Sequence, residues 1–448
     1  MAVDLMDELD DKEVPDEVMD PEAALRRPFR KKVKEPFGNP IYELRRRVAQ
    51  GKLTMEEALK ENIPDLTSTH VGEINRFILI NRRKSHWIEF MIPLADINYH
   101  FAKEIEHRGE KGLATIIKAQ FIGDLDEADQ IERLYLEALE LFDAGLYPLQ
   151  RARTQVELGN LYMARRDGNK EDNLRKARDY FLEAIKILNS QRTAFECAMA
   201  NTRLGQIFLE LNGKDSENLD KAEEHFLKSL EFFSREKYPV HHAINQQHLG
   251  MTYLSRPGEG QKEWLEKARR CFEIATSLLN PDNHPTQFAT AKAGMAEAIF
   301  KLWREDKNTD LQEAIRFFRE SLGWLNPKTN KALYGRIQLK FAELWEELPP
   351  GEEDENLQNL VKCYKGAIEA FERERFPEQY ATAHERLGRV YQRFSTEDTH
   401  ERLSEAESCF KTALTVFEEM NKGEDCDRIR SYMKENEEKL NRIRSKND

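Results

Sequence analysis

The sequence predicts an all-α chain built from repeated antiparallel helix pairs, and three observations carry that reading. Two short motifs recur with an almost constant period. Small and aromatic residues fall at helical spacing inside each motif. Gly and Pro together number only 37 of 448 residues, too few for a loop-rich or all-β chain.

The first motif, Leu-Gly-x-x-Tyr and its variants, has its small residue at Gly159, Gly205, Gly250, Ala296, Ala342 and Gly388, at intervals of 45 or 46. The second, Leu-x-x-Ala-x-x-x-Phe-x-x-Ala, begins at Leu174, Leu219, Leu265, Leu311, Leu357 and Leu403. Its aromatic column is Phe181, Phe226, Phe272, Phe318, Tyr364 and Phe410, and its last small column is Ala184, Ser229, Ala275, Ser321, Ala367 and Ala413. Offsets of three, four and seven put these side chains on one helix face, with small residues where another helix approaches and the aromatic filling the gap. Each repeat is therefore expected to be a helix hairpin. Pro148, Pro239, Pro285 and Pro377 stand eleven residues before the small residue, where a proline opens a helix at low cost. Tyr135 and Ala138 continue the second motif one period upstream, so a further repeat is expected there with a degenerate first helix.

The flanks complete the plan. Residues 1–37 read as a disordered arm, acidic over residues 1–20 and basic over residues 26–34. Residues 38–122 read as a helical N-terminal capping region, with helices over 41–49 and 53–60 and an apolar-rich run over 74–105. Six full repeats and the degenerate one occupy 123–420. Residues 421–448 hold a closing amphipathic helix that places Ile429, Tyr432, Met433, Leu440 and Ile443 on one side.

At these motifs the sequence resembles the tetratricopeptide repeat family, in which Leu-Gly-x-x-Tyr is followed by Ala-x-x-x-Phe and then by a proline. Two features depart from that pattern. The period is longer than the family's usual ~34 residues, and the usual early tryptophan position holds Gln155, Asn201, Gln246, Lys292, Gln338 and His384. The likeness extends to a long-period bacterial subtype found beside peptidase-like or nucleotide-binding signalling domains. HEAT and armadillo repeats suit the period but lack this motif succession.

The resemblance implies a right-handed superhelical solenoid whose first helices line a concave, partner-binding groove. It places Arg153, Asn160, Arg203, Gln206, His248, Met251, Arg336, Lys340, Arg386 and Arg389 on that inner face. Of the family's carboxylate clamp only Asn160 and Arg203 have counterparts, and Val156 stands where the clamp has a lysine, so capture of a chaperone tail is not expected.

Motifs for chemistry are missing. There is no Gly-x-x-x-x-Gly-Lys-Ser/Thr phosphate loop, and Gly258-Glu259-Gly260 follows no strand. His241, His242 and His248 lie at no metal-ligand spacing, and the five cysteines form no Cys-x-x-Cys pair. Cys271, Cys363 and Cys409 each precede the column aromatic, a half-buried helix position rather than a nucleophile's. The expectation is a non-enzymatic chain with no cofactor, no metal and no small-molecule substrate. Net charge -13 disfavours non-specific nucleic-acid or anionic-membrane binding, and the acidic start, the cysteine pattern and the lack of a long apolar span suit the cytoplasm. The expected role is a scaffold or adaptor gripping a partner segment, which the subtype likeness would place in a bacterial signalling or defence complex. The alternative is a regulator or nucleic-acid-associated protein acting through the basic arm 26–34. Deleting residues 1–36 separates the two, because binding in the groove survives that deletion.

Overall fold

The computed structural model describes residues 36 and 38–447, apart from 62, 64–65, 82–87, 123–126, 212–215, 259, 308, 349–352 and 395–398. The acidic and basic stretches of the arm lie outside these residues. The described residues hold nineteen helices and no strand, and helices consecutive in sequence pack in pairs. The chain divides into two compact units, one ending at Pro257 and the other beginning at Gly258.

The first unit opens with α1 (Pro40–Ala49), α2 (Met55–Lys60), α3 (Ser68–Asn81) and α4 (Ile88–Ala102). Asn39 caps α1 through its side-chain oxygen, and Thr54 with Glu57 closes a capping box on α2. These helices share one core containing Tyr42, Ile74, Phe77, Met91, Leu94 and Phe101. The buried Arg45 guanidinium donates to the Glu89 and Phe90 carbonyls at 3.0 and 2.9 Å, and Pro93 inside α4 has no N–H to offer the Glu89 carbonyl one turn earlier. The apolar run expected over 74–105 is thus divided between two helices that pack against each other.

Next come α5 (Arg108–Phe121), α6 (Ala128–Leu141), α7 (Pro148–Ala164), α8 (Lys170–Ile187), α9 (Ala194–Glu210), α10 (Ser216–Phe232) and α11 (Pro239–Ser255). A polar relay joins the opening helices to the repeats. Asn98 donates to Asn75 at 2.9 Å, and Asn75 donates to the Glu110 carboxylate at 2.8 Å.

The second unit comprises α12 (Gln261–Leu278), α13 (Pro285–Glu305), α14 (Leu311–Gly323), α15 (Lys331–Glu347), α16 (Glu353–Ala370), α17 (Pro377–Tyr391), α18 (Thr399–Glu419) and α19 (Gly423–Asn447). The prolines at 148, 239, 285 and 377 each begin a helix, as their placement predicts.

The two motifs meet inside three of the hairpins. A Cβ added to Gly159, Gly205 or Gly388 would stand 2.7, 2.5 or 2.7 Å from Phe181, Phe226 or Phe410. At these three glycines the missing side chain lets the aromatic ring approach the first helix closely. Gly205→Ala is expected to destabilise the protein by about 1–3 kcal/mol in urea titrations, because overpacking outweighs the ~1 kcal/mol of helix propensity that alanine adds. A stability equal to or above the parent's would refute this packing.

The first repeat upstream is α5 with α6. Phe142 closes on Gly112 as Phe371 closes on Gly335, with Cβ positions 2.6 and 2.7 Å from the rings, but the two residues are thirty apart instead of thirty-six. Both helices are shorter at the end that meets the loop, so a search at fixed period misses the first of them.

The tyrosines of the first motif also join repeats. The Tyr253 hydroxyl donates to Glu223 at 2.8 Å while Arg256 grips Glu223 and Asp220 at 2.6 and 2.7 Å. Tyr162 and Arg165 hold Glu132 in the same way two periods earlier.

Candidate functional site: the first-helix face

Within the repeats of each unit, helices that approach each other beyond their sequence neighbours are successive first helices, α9 with α11 and α13 with α15. Successive first helices therefore lie side by side on one face of each unit.

That side is tied by a polar ladder. In the first unit Arg153 on α7 pairs with the buried Glu196 on α9 at 2.6 Å. The Thr202 hydroxyl on α9 lies 2.8 Å from Ser229 on α10 and donates to Asn245 on α11 at 3.1 Å. Gln206 on α9 meets His248 on α11 at 2.8 Å and accepts from Arg203 at 3.2 Å. The His248 ring stacks on Phe226 with centroids 5.3 Å apart. Burial, with a further contribution from the Arg203 charge, pushes the His248 pKa down to about 4, so the imidazole is neutral at pH 7.

In the second unit Lys340 on α15 lies 3.5 Å from both Glu297 on α13 and Glu343 on its own helix. Burial pulls the Glu297 pKa up, but Lys340 and Lys301 outweigh it and hold the carboxyl below its ordinary value. Glu346 on α15 accepts from Tyr364 at 2.6 Å and pairs with Arg386 on α17 at 3.0 Å. The buried Glu385 on α17 accepts two bonds from Arg428 on α19, at 2.8 and 2.9 Å.

The ten residues expected on this face therefore occupy different environments. Arg153, Asn160, Arg203, Gln206, His248 and Met251 lie in the first unit and Arg336, Lys340, Arg386 and Arg389 in the second. Met251, Arg336, Lys340, Arg386 and Arg389 are exposed, Gln206 is buried, and Arg153, Asn160, Arg203 and His248 are half-buried. Arg153 is engaged with a buried carboxylate, and reversing its charge would strand Glu196 beside a like charge.

One concavity stands out in the second unit, a pocket of about 620 Å³ between α15, α17 and α19. Arg386 and Arg389 line it together with Arg393, Arg428, Tyr432 and Lys439, which sequence reasoning did not place. The readable signal was the spacing of Arg386, Arg389 and Arg393, which puts three guanidiniums along one side of α17 and its end. Arg428 and Lys439 join only because α19 folds back along α17.

The cysteines of the second motif are packing residues: burial pushes the Cys363 and Cys409 thiols up to about 12, away from the reactive thiolate. Among the described residues no cluster of three His, Cys, Asp or Glu side chains is placed to hold a metal, and no helix is long and apolar enough to cross a membrane.

No family model matches the chain, and no curated protein matches it. Among solved structures it is similar to a circular tandem repeat protein with a novel repeat topology, at 17% identity over 91% of this chain and 95% of that one, with a TM-score of 0.20. It is also similar to the Cut9–Hcn1 hetero-tetramer of the APC/C, at 11% identity over 95% of this chain and 99% of that one, with a TM-score of 0.16.

Proposed function

We propose that this protein is a non-catalytic scaffold, an adaptor or regulatory subunit of the cytoplasm, which holds a segment of a partner protein against its first-helix faces. The observation that supports the reading most strongly is the division of labour on those faces. Carboxylates such as Glu196 and Glu385 are buried and spent in the ladder, while Met251 and Arg389 remain at the surface of first helices. A rigid backbone displaying adaptable polar and methionine side chains suits recognition of an extended or helical segment.

Photo-crosslinking tests it. A photoreactive residue at Asn160, Met251 or Arg389 is expected to trap one and the same protein in the source cell, whereas the exposed second-helix positions Lys186, Lys228 and Arg316 trap none. Crosslinks confined to the second-helix positions, or absent from all six, would overturn the reading.

A further inference from the structure

The pocket between α15, α17 and α19 contains more cations than its own carboxylates use. Glu346 is taken by Arg386 and Tyr364, Glu385 by Arg428, and Glu435 by Lys439 at 2.9 Å. Arg389 lies over the Tyr432 ring, its guanidinium carbon 4.8 Å from the centroid. Among the described residues neither Arg389 nor Arg393 has a carboxylate partner, and both are exposed. Two guanidiniums one helical turn apart thus face a concavity whose walls are already locked by ion pairs, in a chain whose net charge is -13. Arg389 is held over the Tyr432 ring, and the planar guanidinium of each arginine matches a carboxylate in a bidentate fashion.

We propose that this pocket binds an acidic peptide segment, with Arg389 and Arg393 as its primary carboxylate contacts and Arg386 and Arg428 as a pre-set positive floor. The assignment rests on the scaffold reading above and supplies the chemistry of the partner. An acidic peptide fits better than a nucleic acid. The pocket's lining aromatic, Tyr432, already has Arg389 over one face, which leaves less of the ring for a base to stack on. A volume of about 620 Å³ admits a few side chains, not a folded domain.

The test is fluorescence anisotropy of the full chain with a labelled decaglutamate peptide, a decalysine peptide and a single-stranded RNA decamer. Decaglutamate is expected to bind, more weakly as salt rises, and decalysine to stay free. The double variant Arg389→Glu/Arg393→Glu should weaken decaglutamate binding by at least about tenfold while helical circular dichroism is kept. Arg393→Glu alone, on a side chain with no described partner, should give an intermediate loss, which separates a site effect from a folding defect. Decaglutamate binding that is absent at low salt, or unchanged in both variants, overturns the proposal. RNA that binds as tightly as decaglutamate and is lost in the same variants overturns the choice of peptide. If the crosslinks at Asn160 and Met251 persist while decaglutamate fails to bind, the scaffold reading stands and only the acidic assignment falls. The reverse pattern removes the scaffold and leaves an anion pocket.

Discussion

Phe226→Ala should cost the protein about 3–5 kcal/mol of stability in urea titrations followed by circular dichroism, the range found when a fully buried aromatic is truncated. The ring has no exposed surface and fills the space over Gly205, where no side chain exists to move into the gap. It also carries the stacked His248 ring, which in turn contacts Gln206. The damage should therefore reach the first-helix face: with the cavity open to water, the His248 pKa should rise from about 4 toward its ordinary value, a shift readable by NMR. Amide exchange across α9, α10 and α11 should accelerate together. A loss under about 1 kcal/mol, or a His248 titration that does not move, would mean that this aromatic column does not organise the face.

How much of this was readable beforehand depends on the distance over which each interaction acts. The hairpins were legible because their signals lie within one helix or across one loop: Phe226 and Gly205 are twenty-one residues apart and recur with the period. The ladder was not, because Arg153 and Glu196, or Glu385 and Arg428, join helices about a period apart, and nothing in either helix alone marks the pair. The missing tryptophan column is explained only in three dimensions. Asn201 at that position accepts from the His225 Nδ1 at 2.8 Å, and Lys292 lies over the Phe317 ring at 4.6 Å, so polar pairs occupy the space of an indole. Arg393 was passed over because it lies just beyond the helix that the repeat defines. The first helix of that repeat was expected to be degenerate, with residues 108–121 left in the capping region, because both members of the pair are shortened at the loop end, which breaks the period while keeping the Gly112 and Phe142 contact.

Acid should unfold this protein through its buried histidines before its carboxylates are fully protonated. Burial pushes His225 and His241 down to about 4, and each is under a tenth exposed. His225 stacks on Phe208 at 5.5 Å and bonds Asn201, with Lys228 lowering and Glu224 raising its pKa to a lesser extent. His241 lies against Phe233 at 4.7 Å and Phe195 at 5.6 Å, and among the described residues its Nδ1 has no hydrogen-bond partner. The folded-state pKa is below the unfolded value of about 6.5, so between pH 6.5 and 4 the unfolded chain binds the additional protons. The stability that these rings contribute is complete above pH 6.5 and disappears as pH falls through that window, by about 2–3 kcal/mol per histidine. The urea midpoint is expected to be flat from pH 7.5 to 6.5 and then to fall steeply to pH 4.5. His225→Gln keeps a partner for Asn201 and His241→Phe keeps the stack, and neither side chain can take up a proton. Combined, they should remove about half of the slope between pH 6.5 and 4.5, because burial pushes His248 and His384 down to about 4 as well, and they should leave the neutral-pH stability within about 1.5 kcal/mol of the parent. A parent profile that is flat to pH 4.5, or a double variant that keeps the full slope, would show that these two rings are not what acid attacks.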